Sequence, residues 1–414
     1  MKILARWKTQ LLLLLAALGP GFITANVDND AGGIYTYSFA GARFGYSLLW
    51  TLIPMMIALT FAQEIAARMG VVTGKGLGEL IREHYGLRIT FLVMVALILV
   101  NFGNVVAEFA GVASSVQLFH VSKYISVPLA ALFVWVLVVF GNYRRTEKIF
   151  LFASFLYIAY IATGVLAHPD WGEAARRVAT PPSVRELSNS TYLYLAIGII
   201  GATIAPWQQF YLQASIVEKR LPEQGLRLSQ LDAIVGSIFS VIIAGFIILA
   251  TAATLFVYGQ HDIQTAADAA QALRPLAGEY AFLLFAVGLL NASLFAASIL
   301  PLSTAYTVCE ALGFEAGLNK KFSDARIFYW LYTLLVALGA ALVLIPGVPL
   351  LRVAVFSQVI NGVLLPFVLI FMLLLVNKPE LMGRYVNTRL GNIIGWTMTL
   401  TITALTIAMV WSGR

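Results

Sequence analysis

The stretch LLLLLAALGPGFITANVDNDAGGIYTYSFAGA, residues 11 to 42, decides the fold. It opens as a membrane helix, then carries Gly19-Pro20-Gly21, Asp28, Asp30 and the pair Gly32-Gly33. A carboxylate at bilayer depth costs about 3 kcal/mol on insertion scales and is rarely kept without a partner. Glycines beside it let the helix open, and open backbone is tolerated at that depth only where it lines a cavity or binds something. A broken helix carrying acids at mid-membrane is the pattern of a cation site in a transporter.

The rest of the chain agrees with a membrane setting. With 60% hydrophobic and 11% charged residues over 414 positions, this is an all-α polytopic membrane protein. Cys309 is the lone cysteine, so neither a disulfide framework nor a cysteine-based zinc site is available. The histidines (His84, His120, His168, His261) are scattered, and no cofactor is expected. The net charge of +7 raises nucleic acid as a partner, but the basic residues sit in short loops between apolar runs, where they set topology.

Eleven spans are predicted, roughly 10–41, 46–69, 88–116, 124–141, 147–167, 190–218, 230–258, 276–310, 327–345, 350–376 and 390–411. The N-terminus and even-numbered loops hold 19 of the 27 Lys and Arg, among them Lys2, Arg6, Lys8, Arg144, Arg145, Lys320 and Lys321. The positive-inside rule then places the N-terminus in the cytoplasm and the C-terminus outside a cell (inner) membrane. No small-residue cleavage site follows the leucine run, so it reads as the first span and not as a signal peptide.

A single domain over 1–414 is expected, in two halves. The longest polar connection, His168 to Ser190, joins spans five and six. The second half opens with its own interrupted helix, YLAIGIIGATIAPWQQFYLQASIVEK, with Gly198, Gly201 and Pro206 in mid-span. Broken helices one and six point to a five-plus-five inverted repeat, about 10–167 and 190–376, with helix 11 (about 390–411) added. The plainer alternative is that Pro206 only kinks a helix.

Asp30 is the leading candidate ligand, since a carboxylate beside freed carbonyls suits a hard divalent ion. The alternative is an acid that caps the inner half-helix. Asp28 stands between direct ligation and a place in the cytoplasmic vestibule. In span six, Pro206 clashes with the Ala202 carbonyl, so the Ala202 and Thr203 carbonyls can face the ion. Gln358 and Asn361, three apart on span ten, can supply amide oxygens or simply bond between helices. Glu108 in span three is open between proton relay, support for the ligands and helix packing. Glu64 and Arg68 form an i, i+4 pair at the inner end of span two.

These residues resemble the Nramp family of divalent-metal transporters, nearly end to end. The matching stretches include GPGFITANVDNDAGG, QEIAARMGVVTGKGLGELIRE, NYRRTEK, HPDW, GATIAPWQQFYLQ and SQVINGVLLPF. The resemblance implies the LeuT-like fold, alternating access and a metal site between spans one and six. The departures are specific. The family's Asp-Pro-Gly-Asn reads Asp30-Ala31-Gly32-Gly33, so the Asn ligand is lost at Gly33. Its Ala-x-x-Met reads Ala202-Thr203-Ile204-Ala205, so the thioether is lost at Ala205. The following His is Trp207, a later one is Gln213, and the span-three Asp-x-x-Glu keeps only Glu108.

Loss of Met and Asn leaves room for water, which is how Mg²⁺ is usually held. The pattern looks like the Nramp-related magnesium transporters. The expectation is uptake of Mg²⁺ and/or Mn²⁺ by a monomer in the lipid bilayer, with weak or absent proton coupling. A proton-coupled Mn²⁺/Fe²⁺ symporter and an amine or amino-acid carrier of the same fold are the rivals. A non-transporting metal sensor is a third, disfavoured for lack of a large soluble extension. No nucleophile–base pair suggests an enzyme.

Overall fold

The chain enters the membrane region through α1 (Pro20–Val27), breaks over Asp28 to Asp30, and resumes as α2 (Ala31–Phe44). This computed structural model describes residues 18–261, 263, 269–270, 278–348 and 350–412. Lys2, Arg6, Lys8 and the predicted start of span one lie outside them. A 3-10 segment, Gly45–Thr51, leads into α3 (Leu52–Thr73), followed by α4 (Leu77–Gln117) and α5 (Lys123–Val139). Then come α6 (Tyr143–Leu156), α7 (Ile158–Leu166), α8 (Trp171–Ala179) and α9 (Val184–Leu187). The second broken helix is α10 (Ser190–Thr203) with α11 (Pro206–Lys219). The remainder is α12 (Leu226–Thr251), α13 (Glu279–Leu312), α14 (Arg326–Leu344), α15 (Leu350–Val376), α16 (Pro379–Met382) and α17 (Arg389–Ser412).

Among the described residues, nine helical stretches are long and apolar enough to cross a membrane. The predicted eleven part from this in two places. Ala31–Thr73 runs as one stretch, because the 3-10 segment joins the outer half of span one to span two without coil. The other is α5, whose 17 residues extend about 25 Å, short of a core about 30 Å thick. α4 is interrupted at Gly86 (φ 80°, ψ 168°), so its second part starts beside the predicted 88 and ends at Gln117, while a first part opens at Leu77. Span five is interrupted at Tyr157.

The polar connection between spans five and six is not plain loop. Asp170 caps α8 by accepting from the Gly172 and Glu173 amides, and Ser183 with Glu186 forms a capping box on α9. Arg177 and Arg176 hold the Glu173 carboxyl below its usual range. Glu186 also accepts from Ser47, and the Tyr192 hydroxyl accepts from Trp50 Nε1 at 2.9 Å. These bonds tie the connection to the 3-10 segment.

At the centre, spans six and ten touch backbone to backbone. A Cβ added at Gly201 would lie 2.1 Å from the Gln358 carbonyl and 2.4 Å from the Gly362 nitrogen. Only glycine permits that approach, and it seats Gln358 over the break in span one. At the lower end of span two, the Glu64–Arg68 pair closes at 3.1 Å. Arg68 also donates to the Tyr385 carbonyl at 2.9 Å.

Candidate metal site between two broken helices

The buried start of α1 leaves backbone amides to be satisfied. Pro20 at the first helical position has none to satisfy. Asp232, on α12, takes three others: Gly19 at 2.8 Å, Gly21 at 2.7 Å and Phe22 at 3.0 Å. One acid from span seven therefore holds the first half-helix in place. Lys219, at the end of α11, pairs with Glu147 at 2.7 Å nearby.

Asp30 sits at the break with extended backbone and caps the outer half-helix α2, accepting from the Gly33 amide at 2.6 Å. The sequence alternative assigned such a cap to the inner half-helix, and the observed cap is on the other one. Glu108 of α4 takes the neighbouring Ala31 amide at 3.1 Å, and its carboxyl stands beside that of Asp30. Two acids thus gather at a helix N-terminus, where the positive end of the peptide dipoles favours them. Gln358 Nε2 lies 3.2 and 3.3 Å from the two Asp30 oxygens. The nitrogen, not the expected oxygen, faces Asp30, because Gln358 Oε1 is taken by Asn361 at 3.0 Å. Asn361 in turn bonds to Asn104 across the helices.

Gly33 has no side-chain donor, and there is no room for a side chain in this arrangement. A Cβ there would fall 2.6 Å from the Asp28 carbonyl and 3.3 Å from Tyr37 Cε2. Asp28 faces the other way, toward span six. It accepts from Gln208 Nε2 and from the Ala205 amide. Tyr37 and Thr203 close the space between, hydroxyl to hydroxyl at 2.9 Å.

The break in span six is a true interruption. Ile204 (φ −131°, ψ 69°) and Ala205 (φ −76°, ψ 142°) leave the helix, and Pro206 starts α11. The Ala205 carbonyl accepts from the Gln208 amide at 3.2 Å. Among the described residues no hydrogen bond reaches the Ala202 or Thr203 carbonyl, so both remain available as oxygen donors. Trp207 is buried against Tyr211, and its carbonyl accepts from Ser303. Around the two breaks, Asp30 groups with Gln358 and Glu108, Asp28 bonds to span six, and Thr203 meets Tyr37, all of them all but closed to solvent, as is Ala202.

Sequence reasoning did not reach Asp232, Gln208 or Tyr37. A signal existed for two of them: Asp232 is an acid inside a predicted span, and Gln208-Gln209 a polar pair inside another. Among the described residues no three of Asp, Glu, His or Cys converge on one point that could hold a metal ion. Below the site, a cavity of about 1210 Å³ opens among the ends of spans two, three, five, six and eight, lined by Gly76, Glu79, Glu147, Ala214, Glu218 and Glu310.

Two half-helices broken at one level, with carboxylates and freed carbonyls between them, define a membrane transporter of the LeuT-like class. The overall fold matches a manganese transporter from Eremococcus coleocola with a TM-score of 0.76 at 23% identity, covering 98% of this chain and 87% of that one. It also matches MhsT at a TM-score of 0.63 and 15% identity, covering 95% and 98%. In sequence, the chain is 32% identical to a protein of Ralstonia nicotianae named divalent metal cation transporter MntH, over 96% of this chain and 91% of that one. A Deinococcus radiodurans protein of the same name is 31% identical, over 96% and 90%. The profile of natural resistance-associated macrophage protein-like sequences matches residues 21–412. The chain belongs to the Nramp family.

Proposed function

We infer that this protein carries divalent metal cations across the cytoplasmic membrane by alternating access, and that its ion is a partly hydrated hard one, Mg²⁺ and/or Mn²⁺. The observation that carries this reading is the donor set. Asp30 and Glu108 stand at the start of α2, the broken end of span six adds the bare carbonyls of Ala202 and Thr203, and Ala205 and Trp207 stand where a thioether and an imidazole would favour softer metals. Mg²⁺ keeps several waters and takes one or two carboxylates, which this set can offer. The relatives named divalent metal cation transporters support the substrate class.

The ion enters the cell, with the N-terminus cytoplasmic and the C-terminus outside, as the Lys and Arg distribution favours. Proton coupling is weak or absent, since the imidazole positions are filled by Trp207 and Gln213. The second reading, a proton-coupled Mn²⁺/Fe²⁺ symporter, draws on Glu108, whose Oε1 is buried without a partner among the described residues.

Influx of Mg²⁺ and Mn²⁺ into proteoliposomes, wild type beside Asp30→Ala, tests both. Transport of both ions, abolished by the substitution and without acidification of the lumen, is expected. Unimpaired transport by Asp30→Ala sinks the site, and Mn²⁺ transport with Mg²⁺ excluded sinks the hydrated ion. Metal-dependent acidification transfers the case to the symporter.

A further inference from the structure

The two acids of the break do not share partners. Asp30 is bonded by Gly33 and Gln358 and neighboured by Glu108, on spans three and ten. Asp28 is bonded by Gln208 and the Ala205 amide, on span six. The hydrogen bonds thus divide the two carboxyls between two sides of the break, Asp30 toward spans three and ten and Asp28 toward span six.

Below Asp28 runs a line of carboxamides. Gln208 Oε1 accepts from Gln209 Nε2 at 3.4 Å, while Gln209 Oε1 has no partner among the described residues. Gln213, on the same face of α11, donates to the Lys75 carbonyl at 2.7 Å, and its Oε1 is likewise unpartnered. On the facing helix, both amide atoms of Gln63 are unpartnered. All three side chains are fully buried. A Cβ on Gly70 would lie 3.3 Å from Gln213 Cγ, which fixes the register of α3 against α11. Gln63 sits about two turns above Gly70 and Gln209 about one turn above Gln213, so the free oxygens follow one another along the seam. The seam ends at the cavity, which Gly76 and Ala214 line beside Lys75 and Gln213.

Buried polar atoms without partners are rare, and each needs an explanation such as water or an ion. Amide oxygens accept hydrogen bonds from the water shell of a cation without binding the metal tightly, which suits passage. We propose that Asp28 is a second cation station, separate from Asp30, at the head of a carboxamide-lined path (Gln63, Gln209, Gln213) that passes a partly hydrated divalent ion between Asp30 and the cavity. It rests on the reading of the chain as a divalent-cation carrier. One ion uses the two stations in turn.

The test uses the full chain in lipid nanodiscs with Mn²⁺ counted by its electron paramagnetic resonance, and proteoliposome kinetics beside it. Asp28→Asn is expected to change Mn²⁺ affinity at the principal station by less than about threefold, while kcat falls about tenfold or more and KM holds. Gln209→Leu is expected to show the same split, which keeps the test available should Asp28→Asn not fold. Asp30→Asn at millimolar Mn²⁺ is expected to retain one weak ion per chain, and Asp30→Asn/Asp28→Asn none. A role for Asp28 in structure alone would not create that residual ion.

Affinity lowered more than about tenfold by Asp28→Asn means that the two acids share one ion, and overturns the proposal. So does Asp30→Asn with no residual Mn²⁺. Both results leave the carrier reading intact, which fails separately if the wild type binds and moves no divalent ion.

Discussion

Asp232→Ala removes a single carboxylate and strands three buried amides, those of Gly19, Gly21 and Phe22. A buried donor left unsatisfied costs about 1–3 kcal/mol, so the loss is about 3–9 kcal/mol before relaxation. Asp232→Asn is milder. Its one oxygen can keep the bonds from Gly19 and Phe22, both of which reach Oδ1, and only the Gly21 bond to Oδ2 is lost, about 1–3 kcal/mol. In a chain of this size each kcal/mol moves the melting point by about 1–2 °C, so Asp232→Ala is expected about 3 °C or more below wild type, with Asp232→Asn between. Thermal unfolding of the purified protein in nanodiscs reads both. If Asp232→Ala melts within about 1 °C of wild type, or below it but above Asp232→Asn, the carboxylate is not what holds the half-helix and the reasoning fails.

Other substitutions separate charge from scaffold. Glu108→Gln keeps an acceptor for the Ala31 amide but removes a carboxyl beside Asp30; metal affinity should drop about tenfold with the melting point held, whereas Glu108→Ala should lower both. Gly33→Asn, which restores the family's residue, pushes a Cβ to 2.6 Å from the Asp28 carbonyl. It should destabilise by about 1–3 kcal/mol, and a raised melting point would contradict the packing. Glu186→Ala removes the capping box of α9 and the partner of Ser47. Hydrogen exchange in 171–187 should accelerate while the core stays protected.

The breaks were legible because their residue types are costly where they stand: acids, glycines and a proline inside apolar runs admit few readings. Asp30 and Glu108 stand side by side at the first break, and Ala202 and Thr203 end the helix at the second, where the acids, glycines and proline of the sequence put the interruptions. What stayed hidden is long-range. Nothing near Gly19 names Asp232, more than two hundred residues on, as the acceptor of its amide. The orientation of the Gln358 amide depends on Asn361 and Asn104, which belong to two different helices. The helices α8 and α9 were missed because hydropathy sees only their polarity, although Asp170 and Ser183 are ordinary cap residues at their starts. The short helical piece from Leu77 to the interruption at Gly86 was missed for the same reason, being too charged to count as membrane.

The stretch from Ala31 to Thr73 contains no coil, so the outer half of span one turns into span two through the 3-10 segment, bending at Gly45 (φ 57°). On the other side of the break, α1 is stapled to span seven by Asp232 and travels with it. The residues Asp28 to Asp30 are thus the joint between two arms, with one carboxylate at each end of the joint. Any rocking of the arms changes the spacing of those two carboxylates before it changes much else. That spacing is a natural gauge of the angle between the arms, and a spin or fluorescence label pair spanning the joint would read it.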